Sequence, residues 1–216
     1  MTAQILSEAP APRMIPTGAF GAIGVRMHFA AGEEIYAQEE EADLIYQVIK
    51  GSVRTSRLLS DGRRQIGDFY YPDELFGMEA GDEHRFSAEA LSDCTILVAK
   101  RSAVRHCGDE RERLEKLIWA ATTHELARTQ DHLFMLGRKS ACEKVASFLM
   151  LAAERVRGDL TTLVMSRQDM ADYLGLTIET VSRMLSQLQS GGIVEFVGCR
   201  SFRVIQPSGL ARLVTA

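Results

Sequence analysis

The residues SRQDMADYLGLTIETVSRMLSQLQS, numbered 166–190, decide the fold of the C-terminal part of this chain. They form two short helical patterns separated by a break at Leu-Gly-Leu, residues 174–176. Gly175 can adopt the positive φ that a tight turn between crossed helices needs. Ser166 and Thr177 precede the two patterns and are typical N-caps, because their hydroxyls accept from free N–H groups of a first turn. The stretch predicts a helix-turn-helix, with an ordinary αα-hairpin as the alternative.

The second predicted helix has two different faces. Its apolar stripe, at i, i+4 and i+7, consists of Val181, Leu185 and Leu188. The opposite face carries a polar set at i, i+3 and i+4, namely Glu179, Ser182 and Arg183. An arginine can bind guanine O6 and N7 with two hydrogen bonds, a glutamate can accept from a cytosine or adenine amino group, and a serine can contact thymine. We therefore predict that this polar set reads DNA bases.

A β-hairpin is predicted directly after the second helix. Gly191 and Gly192 indicate the helix end, and two β-rich runs, 193–197 and 201–205, flank the turn Gly198-Cys199-Arg200. A hairpin in this place is the wing of a winged helix. Arginines on a wing can reach phosphates beside the groove. The predicted supporting DNA contacts are Ser166, Thr177, Thr180, Arg200 and Arg203.

Charge is distributed unevenly along the chain. The net charge is −4, but residues 1–137 hold 15 Lys+Arg against 22 Asp+Glu, whereas residues 138–216 hold 10 against 7. The mildly basic C-terminal part fits a nucleic-acid-binding module attached to an acidic one. No apolar run approaches the roughly 18 residues that span a bilayer, and no basic-then-apolar leader is present. We therefore expect no membrane partner and a cytoplasmic location.

Residues that could bind a metal or perform catalysis are scattered. The four cysteines include no C-x-x-C pair, and the five histidines show neither H-x-H nor H-E-x-x-H. The sequence also contains no G-x-S-x-G elbow and no G-x-x-x-x-G-K-[ST] loop. It therefore predicts no catalytic residue, no metal site and no cofactor. An enzyme on a cupin-like barrel remains only a remote alternative.

Short β-rich runs separated by turn signals follow residue 24. The runs 43–49, 52–59, 63–70, 86–91 and 95–99 have a spacing of about ten residues that is typical of a β-roll or barrel. A long pattern without Pro or Gly follows, at residues 109–136. It predicts a helix with a coiled-coil-like role in dimerisation, or one packed only on its own barrel. Its regular apolar stripe is Leu114, Leu117, Ile118 and Ala121.

The helix-turn-helix stretch resembles that of Crp/Fnr-family transcription regulators. ETVSR, residues 179–183, is similar to the E-x-x-S-R reading helix of the Fnr and FixK branches. The cyclic-AMP receptor branch has an Arg before the Glu and a Gly before the last Arg, where this chain has Ile178 and Ser182. The resemblance implies TTGA-type half-sites. The oxygen-sensing Fnr branch carries clustered N-terminal cysteines for an iron–sulfur centre, whereas no cysteine precedes Cys94 here.

The resemblance also bears on cyclic-nucleotide binding. The family's cassette has F-G-E-L followed by R-S or R-T, but Met78 occupies the Glu position here and Phe86 follows Arg85. HRFSAEA, residues 84–90, is similar to the ligand-free FixK branch. We expect no cyclic-AMP dependence, and the alternative is an effector-gated sensor that binds a cyclic nucleotide or another small ligand in the β-roll. The family's polar hairpin can contact RNA polymerase, and its counterparts here are Arg63 and Arg64.

Together these features predict an α+β fold with four parts. They are a flexible arm (1–23), a β-roll (24–107), a dimerisation helix (108–137) with a hinge at Gly137, and a winged helix-turn-helix domain (138–216). The predicted function is a homodimeric, FixK-like transcription regulator, an activator, that binds palindromic double-stranded DNA without an iron–sulfur cluster.

Overall fold

The computed structural model describes residues 17–156 and 158–215. Two antiparallel sheets form the N-terminal half of the protein. The strands are Val25–Phe29 (β1), Glu34–Tyr36 (β2), Leu44–Lys50 (β3), Val53–Leu58 (β4), Arg64–Tyr70 (β5), Leu75–Phe76 (β6), Ser87–Ala90 (β7) and Cys94–Lys100 (β8). They pair in the orders β1-β8-β3-β6 and β2-β7-β4-β5. The predicted β-roll is confirmed.

The strand β3 shows how the roll is filled. Its residues Tyr46 and Val48 point into the roll and pack with Phe76, whereas Ile45 lies on the other face and packs in a cluster with Leu114. The strand is therefore covered on both faces, which explains its nearly continuous apolar sequence. The outer cover comes from Phe20, which precedes the roll, and from the helical segment that follows it.

The rest of the described chain is mainly helical. Its helices are Thr17–Gly21 (α1), Arg111–Arg138 (α2), Ala141–Glu154 (α3), Arg167–Leu174 (α4), Ile178–Ser190 (α5) and Pro207–Thr215 (α6), with 3-10 turns at Arg101–His106 and Gly108–Glu110. A small sheet has the order β10-β11-β9, from Thr161–Thr162 (β9), Val194–Val197 (β10) and Ser201–Val204 (β11). Within the described ranges, no helix is long and apolar enough to cross a membrane.

The break between α2 and α3 lies later than predicted. The helix α2 continues through Gly137, and the backbone becomes extended only at Lys139. Ser140 then caps α3 in a capping box, because its hydroxyl accepts from the Glu143 N–H at 3.4 Å while the Glu143 carboxylate accepts from the Ser140 N–H at 2.7 Å. The break therefore lies at Lys139 and Ser140, about two residues after the predicted hinge at Gly137, because a Ser-x-x-Glu cap decides the boundary.

The predicted dimerisation stripe packs mainly on its own roll. Leu114 is fully buried in a cluster with Phe20, Ile45, Leu97 and Val104. The other three stripe residues, Leu117, Ile118 and Ala121, are partly buried against the same cluster. Leu114 is therefore a core residue of one protomer, and its assignment as a dimer contact is wrong. A different face of α2 is exposed.

The N-terminal arm, predicted over residues 1–23, lies largely outside the described residues. Its last part differs from the prediction, since Thr17–Gly21 forms the short helix α1. Phe20 on this helix is fully buried in the cluster between the roll and α2. One large aromatic side chain therefore fixes a segment whose glycines are typical of a loop.

The imidazole of His84 is a buried group without hydrogen bonds to the described chain. It is 2% exposed, stacks on Tyr36 with 3.6 Å between ring centroids, and both ring nitrogens are unpaired. Its Nδ1 lies 3.8 Å from a Glu79 carboxylate oxygen. Burial, which is the largest effect, lowers the pKa of His84, although the charge of Glu79 opposes it. The unfolded chain therefore binds a proton more readily at this position.

We expect His84→Phe to raise the free energy of unfolding by about 1 kcal/mol, because the ring contact is kept and two unpaired polar atoms are removed. The sign of the pH effect follows from the lowered pKa. Stability from neutral His84 is complete above about pH 6.5 and is lost as the pH falls towards the folded-state pKa. Urea unfolding at pH 7.5 and 5.5 should show a larger drop for the parent than for the variant. The exposed His28→Gln should retain the parental drop.

Candidate DNA-binding interface

The first helix of the helix-turn-helix begins after the predicted N-cap and ends at Leu174, the first residue of the predicted break. Ser166 caps α4, since its hydroxyl accepts from the Asp169 N–H at 3.0 Å and its own N–H donates to the Asp169 carboxylate at 3.0 Å. Gly175 ends the helix with φ 62°, in the left-handed region that favours glycine. The Thr177 hydroxyl then accepts from the Thr180 N–H at 3.3 Å and caps α5. These local bonds fix the crossing of α4 and α5.

The polar face of α5 is open to solvent, as a DNA-reading face must be. Glu179 and Arg183 are exposed and Ser182 is half-buried, whereas the apolar stripe Val181, Leu185 and Leu188 is buried. The pKa of Glu179 is lowered, mainly by a hydrogen bond from the backbone N–H of Glu179 and to a smaller extent by one from the Thr177 side chain. The Glu179 carboxylate is therefore a charged acceptor at neutral pH. Acceptor and donor groups for base edges thus stand side by side on one turn.

A further basic residue adjoins the reading face. Arg167, the first residue of α4, is exposed, and its Nη1 lies 3.5 Å from the Ser182 hydroxyl. The sequence interpretation did not include this residue. An arginine immediately after an N-cap was the available signal, because the first turn of α4 lies beside the N-terminal half of α5. Arg167 is therefore a candidate phosphate or base contact.

The hydroxyls predicted as supporting DNA contacts already have partners in the protein. The Ser166 hydroxyl also donates to the Asp169 carboxylate at 2.8 Å, and the hydroxyls of Thr177 and Thr180 lie 3.2 Å apart. Thr177 is exposed, whereas Ser166 and Thr180 are half-buried. Ser166 and Thr177 cap the two helices, and the backbone N–H of Thr180 donates to the Thr177 cap. A DNA contact by any of the three stays a prediction.

The wing carries two exposed arginines in different environments. Arg200 lies in the turn between β10 and β11, next to the exposed Cys199. Arg203 lies opposite Glu195 on the neighbouring strand, and the two side chains form an ion pair of 3.4 Å. We therefore expect Arg200 to attract phosphates more strongly than Arg203, whose charge is partly neutralised by Glu195.

We expect Arg200→Ala to weaken binding to specific and random DNA by the same factor, because a phosphate contact carries no sequence information. The slope of log affinity against log salt should fall in magnitude by about 0.9 per lost contact. Arg203→Ala should produce a smaller change, since Glu195 already shares its charge. Titrations at several salt concentrations measure both slopes. A loss confined to the specific sequence would assign Arg200 to base reading instead.

The hairpin arginines Arg63 and Arg64 have different partners. Arg63 is exposed and pairs with Asp61 in its own turn at 2.7 Å. Arg64 reaches the first helix of the helix-turn-helix and pairs with Asp169 at 2.6 Å and with Asp172 at 2.7 Å. Arg64 is thus bound within the protein, and a polymerase contact by this residue stays a prediction. Arg63 alone of this pair is open to a partner.

Two family models match the chain in the order of its folded parts. A cyclic nucleotide-binding domain matches residues 26–111, and a Crp-like helix-turn-helix domain matches residues 143–213. The nitrogen fixation regulation protein FixK of Rhizobium meliloti is 44% identical over 186 residues, which cover 86% of this chain and 85% of that protein. FixK of Azorhizobium caulinodans is 42% identical over 204 residues, which cover 92% of this chain and 82% of that protein.

A solved structure matches the whole fold. The structure of FixK2 from Bradyrhizobium japonicum superposes with a TM-score of 0.84 at 42% identity, covering 90% of this chain and 98% of that one. The similarity includes the roll and the helix-turn-helix, so the order of the domains is shared as well as their separate folds.

Proposed function

Because this chain belongs to the Crp/Fnr family of transcription regulators, we propose that it is a homodimeric activator that binds palindromic DNA with TTGA-type half-sites. The observation that carries the proposal is the exposed face of α5, where Glu179, Ser182 and Arg183 stand together over a buried stripe. The chain is a FixK-like DNA-binding regulator and not an enzyme, since its relatives are regulators with this same helix-turn-helix. Its place of action is then the cytoplasm, where the DNA is.

An exposed apolar stripe on α2 supports the dimer. Trp119, Leu126 and Leu133 are 72%, 57% and 73% exposed, and Phe134 beside them is 62% exposed. The first three are spaced by seven residues, which is the repeat of a helix-to-helix seam. The opposite face of α2 is already packed on the roll. Two copies that pair through this stripe would present two reading faces to two half-sites.

The roll cavity, which lies between the β-roll and α2, supports DNA binding without a cyclic nucleotide. It has a volume of about 290 Å³ and is lined by Glu79, Glu125 and Arg128, among other residues. The guanidinium of Arg128 already pairs with Asp68 at 3.1 Å and with Glu74 at 3.5 Å. A phosphate entering this cavity would face two carboxylates beside an arginine that is already neutralised.

The segment between β6 and β7 also supports DNA binding without a cyclic nucleotide. A phosphate site of this kind uses the N-terminus of a short helix, but residues 77–86 form no helix. Arg85 is exposed on the wall of an outer depression, next to Asp82 and Glu83. The alternative, an effector-gated sensor, would need a ligand other than an anionic nucleotide to fit the roll cavity. We propose that the protein acts without an iron–sulfur cluster, and this is supported by the sequence, in which no cysteine precedes Cys94.

We also propose that the activator contacts RNA polymerase through the turn that carries Arg63. Arg63→Ala is expected to lower transcription from a promoter with the palindrome and to leave the DNA affinity at the parental value, because Arg63 is exposed and pairs with Asp61 of its own turn, whereas Arg64 makes the contact to α4. Run-off transcription with purified polymerase and DNA titration measure the two properties. Arg57→Ala, which changes an exposed arginine on β4, is the control. Parental transcription by the Arg63 variant would remove this contact from the proposal.

Fluorescence anisotropy with a labelled TTGA-type palindrome tests the main proposal. Purified protein is titrated in air, at fixed salt, with and without cyclic AMP, against the palindrome and against a scrambled duplex. We expect tight, sequence-dependent binding that cyclic AMP does not change. Binding that requires the nucleotide would favour the effector-gated alternative. Equal affinity for both duplexes would contradict the assignment of the reading face.

A further inference from the structure

One buried carboxylate joins the β-roll to the helix-turn-helix. The Asp169 side chain is 4% exposed, and its Oδ1 accepts from Arg54 Nη1 on β4 at 2.6 Å and from Arg64 Nη2 on β5 at 2.6 Å. Its Oδ2 accepts from the N–H and the hydroxyl of Ser166 in the cap of α4. The same side chain therefore starts the first helix of the motif and ties that helix to two strands of the roll.

Arg54 and Arg64 each form an ion pair with a second carboxylate. Arg64 Nε and Nη2 also donate to Asp172 Oδ2, one turn along α4, at 2.8 and 2.7 Å. Arg54 Nη2 also bonds both carboxylate oxygens of Glu89 on β7, at 2.8 and 2.9 Å. Because β7, β4 and β5 are adjacent strands of one sheet, the network rests on a rigid base.

The ion pairs restrict the orientation of α4 on the roll, which the neighbouring apolar contact does not do. Ile66 and Phe69 of β5 are buried in the same cluster as Phe148 of α3 and Tyr173 of α4. Apolar burial holds surfaces together but is not directional. A planar guanidinium with several fixed N–H donors, by contrast, accepts few orientations of its partners. The apolar contact therefore holds α4 on the roll, and the arginines select how it lies there.

The network stays charged across physiological pH. Burial opposes the ionisation of Asp169, but the hydrogen bonds from Ser166 and the charges of Arg54 and Arg64 outweigh it and lower the pKa of this carboxyl. Its contribution is therefore present above the unfolded-state pKa and is lost only in acid. The contact is a fixed structural element near neutral pH.

We propose that Arg54 and Arg64 are positioning residues that set the orientation of the reading helix α5 relative to the β-roll. The inference rests on the proposed DNA-binding function. Orientation passes from α4 to α5 through their packed crossing, in which Leu174 and Val181 are both fully buried. In a dimer, the rolls and α2 would then hold two reading faces at one separation and one relative rotation. The roll would thereby determine which spacing of half-sites the protein accepts.

Half-site spacing is the property that tests the proposal. The parent is titrated with the palindrome and with a duplex in which about five base pairs, half a helical turn, separate the half-sites further. We expect the parent to lose about 100-fold in affinity on the second duplex, because fixed reading faces cannot engage both half-sites. The double variant R54Q/R64Q should lose less than about 10-fold, because its reading helices can reorient.

Three comparisons distinguish a positioning role of Arg54 and Arg64 from a loss of folded protein. R57Q removes an exposed arginine from the same strand, β4, and should keep the parental ratio between the two duplexes. All variants are titrated well below their unfolding midpoints, and a variant that only loses folded protein weakens on both duplexes equally. The charge swap R64D/D172R should recover discrimination relative to R64D. A double variant with the parental ratio, or a swap without recovery, would overturn the proposal.

A distance measurement that needs no DNA keeps this proposal apart from the proposed function. Non-canonical residues at the exposed positions Lys50 and Gln187 carry a donor and an acceptor dye, and labelled chains are diluted with unlabelled ones. We expect a narrow distribution of energy transfer in the parent and in R57Q, and a broad one in R54Q/R64Q. Three identical distributions would overturn the positioning role even if the parent binds DNA. A broadened distribution in a protein that does not bind the palindrome would overturn the function and retain the positioning.

Discussion

Replacement of Arg183 by alanine is expected to weaken binding to the palindrome by about 1–3 kcal/mol per half-site and to relax the preference at one base pair, because a two-bond contact to guanine is lost. The guanidinium is exposed in the N-terminal half of α5 and makes no ion pair with any residue that the structure describes. Its whole donor capacity is therefore available to DNA. Anisotropy titrations with all four base pairs at each position of the half-site measure both effects.

The control for this variant is Gln189→Ala, which changes an exposed residue near the C-terminal end of the same helix. It should bind the parental palindrome with parental affinity and the same base preference. The decisive comparison is with random DNA, to which Arg183→Ala should bind almost as the parent does. Equal losses on the palindrome and on random DNA would mean that Arg183 contacts phosphate, and the reading face would have to be reassigned.

Two glutamates on the exposed stripe of α2 are expected to separate the dimer and to lower the affinity for the palindrome by about 100-fold or more, because simultaneous binding of two half-sites is lost. The variant is Leu126→Glu/Leu133→Glu. Both leucines are more than half exposed, so the change leaves the packing of α2 on its own roll intact. Sedimentation equilibrium gives the mass, and titration with one and with two half-sites gives the affinity.

The matched control is Leu58→Glu, which places the same charge on an exposed leucine of β4 in the roll. It should remain a dimer with parental affinity. We expect the α2 variant to bind a single half-site and the palindrome with similar affinity. A variant that stays dimeric would show that the seam lies elsewhere, and the exposed Trp119 would no longer support the dimer.

Features set by neighbouring residues were the ones that the sequence predicted well. The caps at Ser166 and Thr177 and the turn at Gly175 depend on bonds within four residues, and each is present in the structure. The α+β fold with a β-roll and a helix-turn-helix is confirmed by the structure and by the relatives. Which base each side chain of α5 contacts stays a prediction.

Features set by distant contacts were missed. The helix α2 carries two apolar stripes, and periodicity alone does not tell which one covers the roll, so Leu114 was assigned to the wrong side. Arg64 had the sequence context of an exposed hairpin, yet its partners lie 105 and 108 residues further along the chain. The boundary at Ser140 is the exception, since it depends on a local Ser-x-x-Glu signal.

Asp169 restricts how this regulator can be recombined with others. A chimaera that joins this roll to a foreign helix-turn-helix would place Arg54, 14% exposed at its side chain, and Arg64 against a helix of another sequence. Without acidic residues at the positions of Asp169 and Asp172, Arg64 would lose both of its partners, and Arg54 would lose Asp169 and keep Glu89 of the roll. Removal of one partner from a poorly solvated ion pair is costly. The DNA-reading half is thus not an interchangeable cassette. Successful grafts must carry the acidic pair with the helix, or replace both arginines in the recipient.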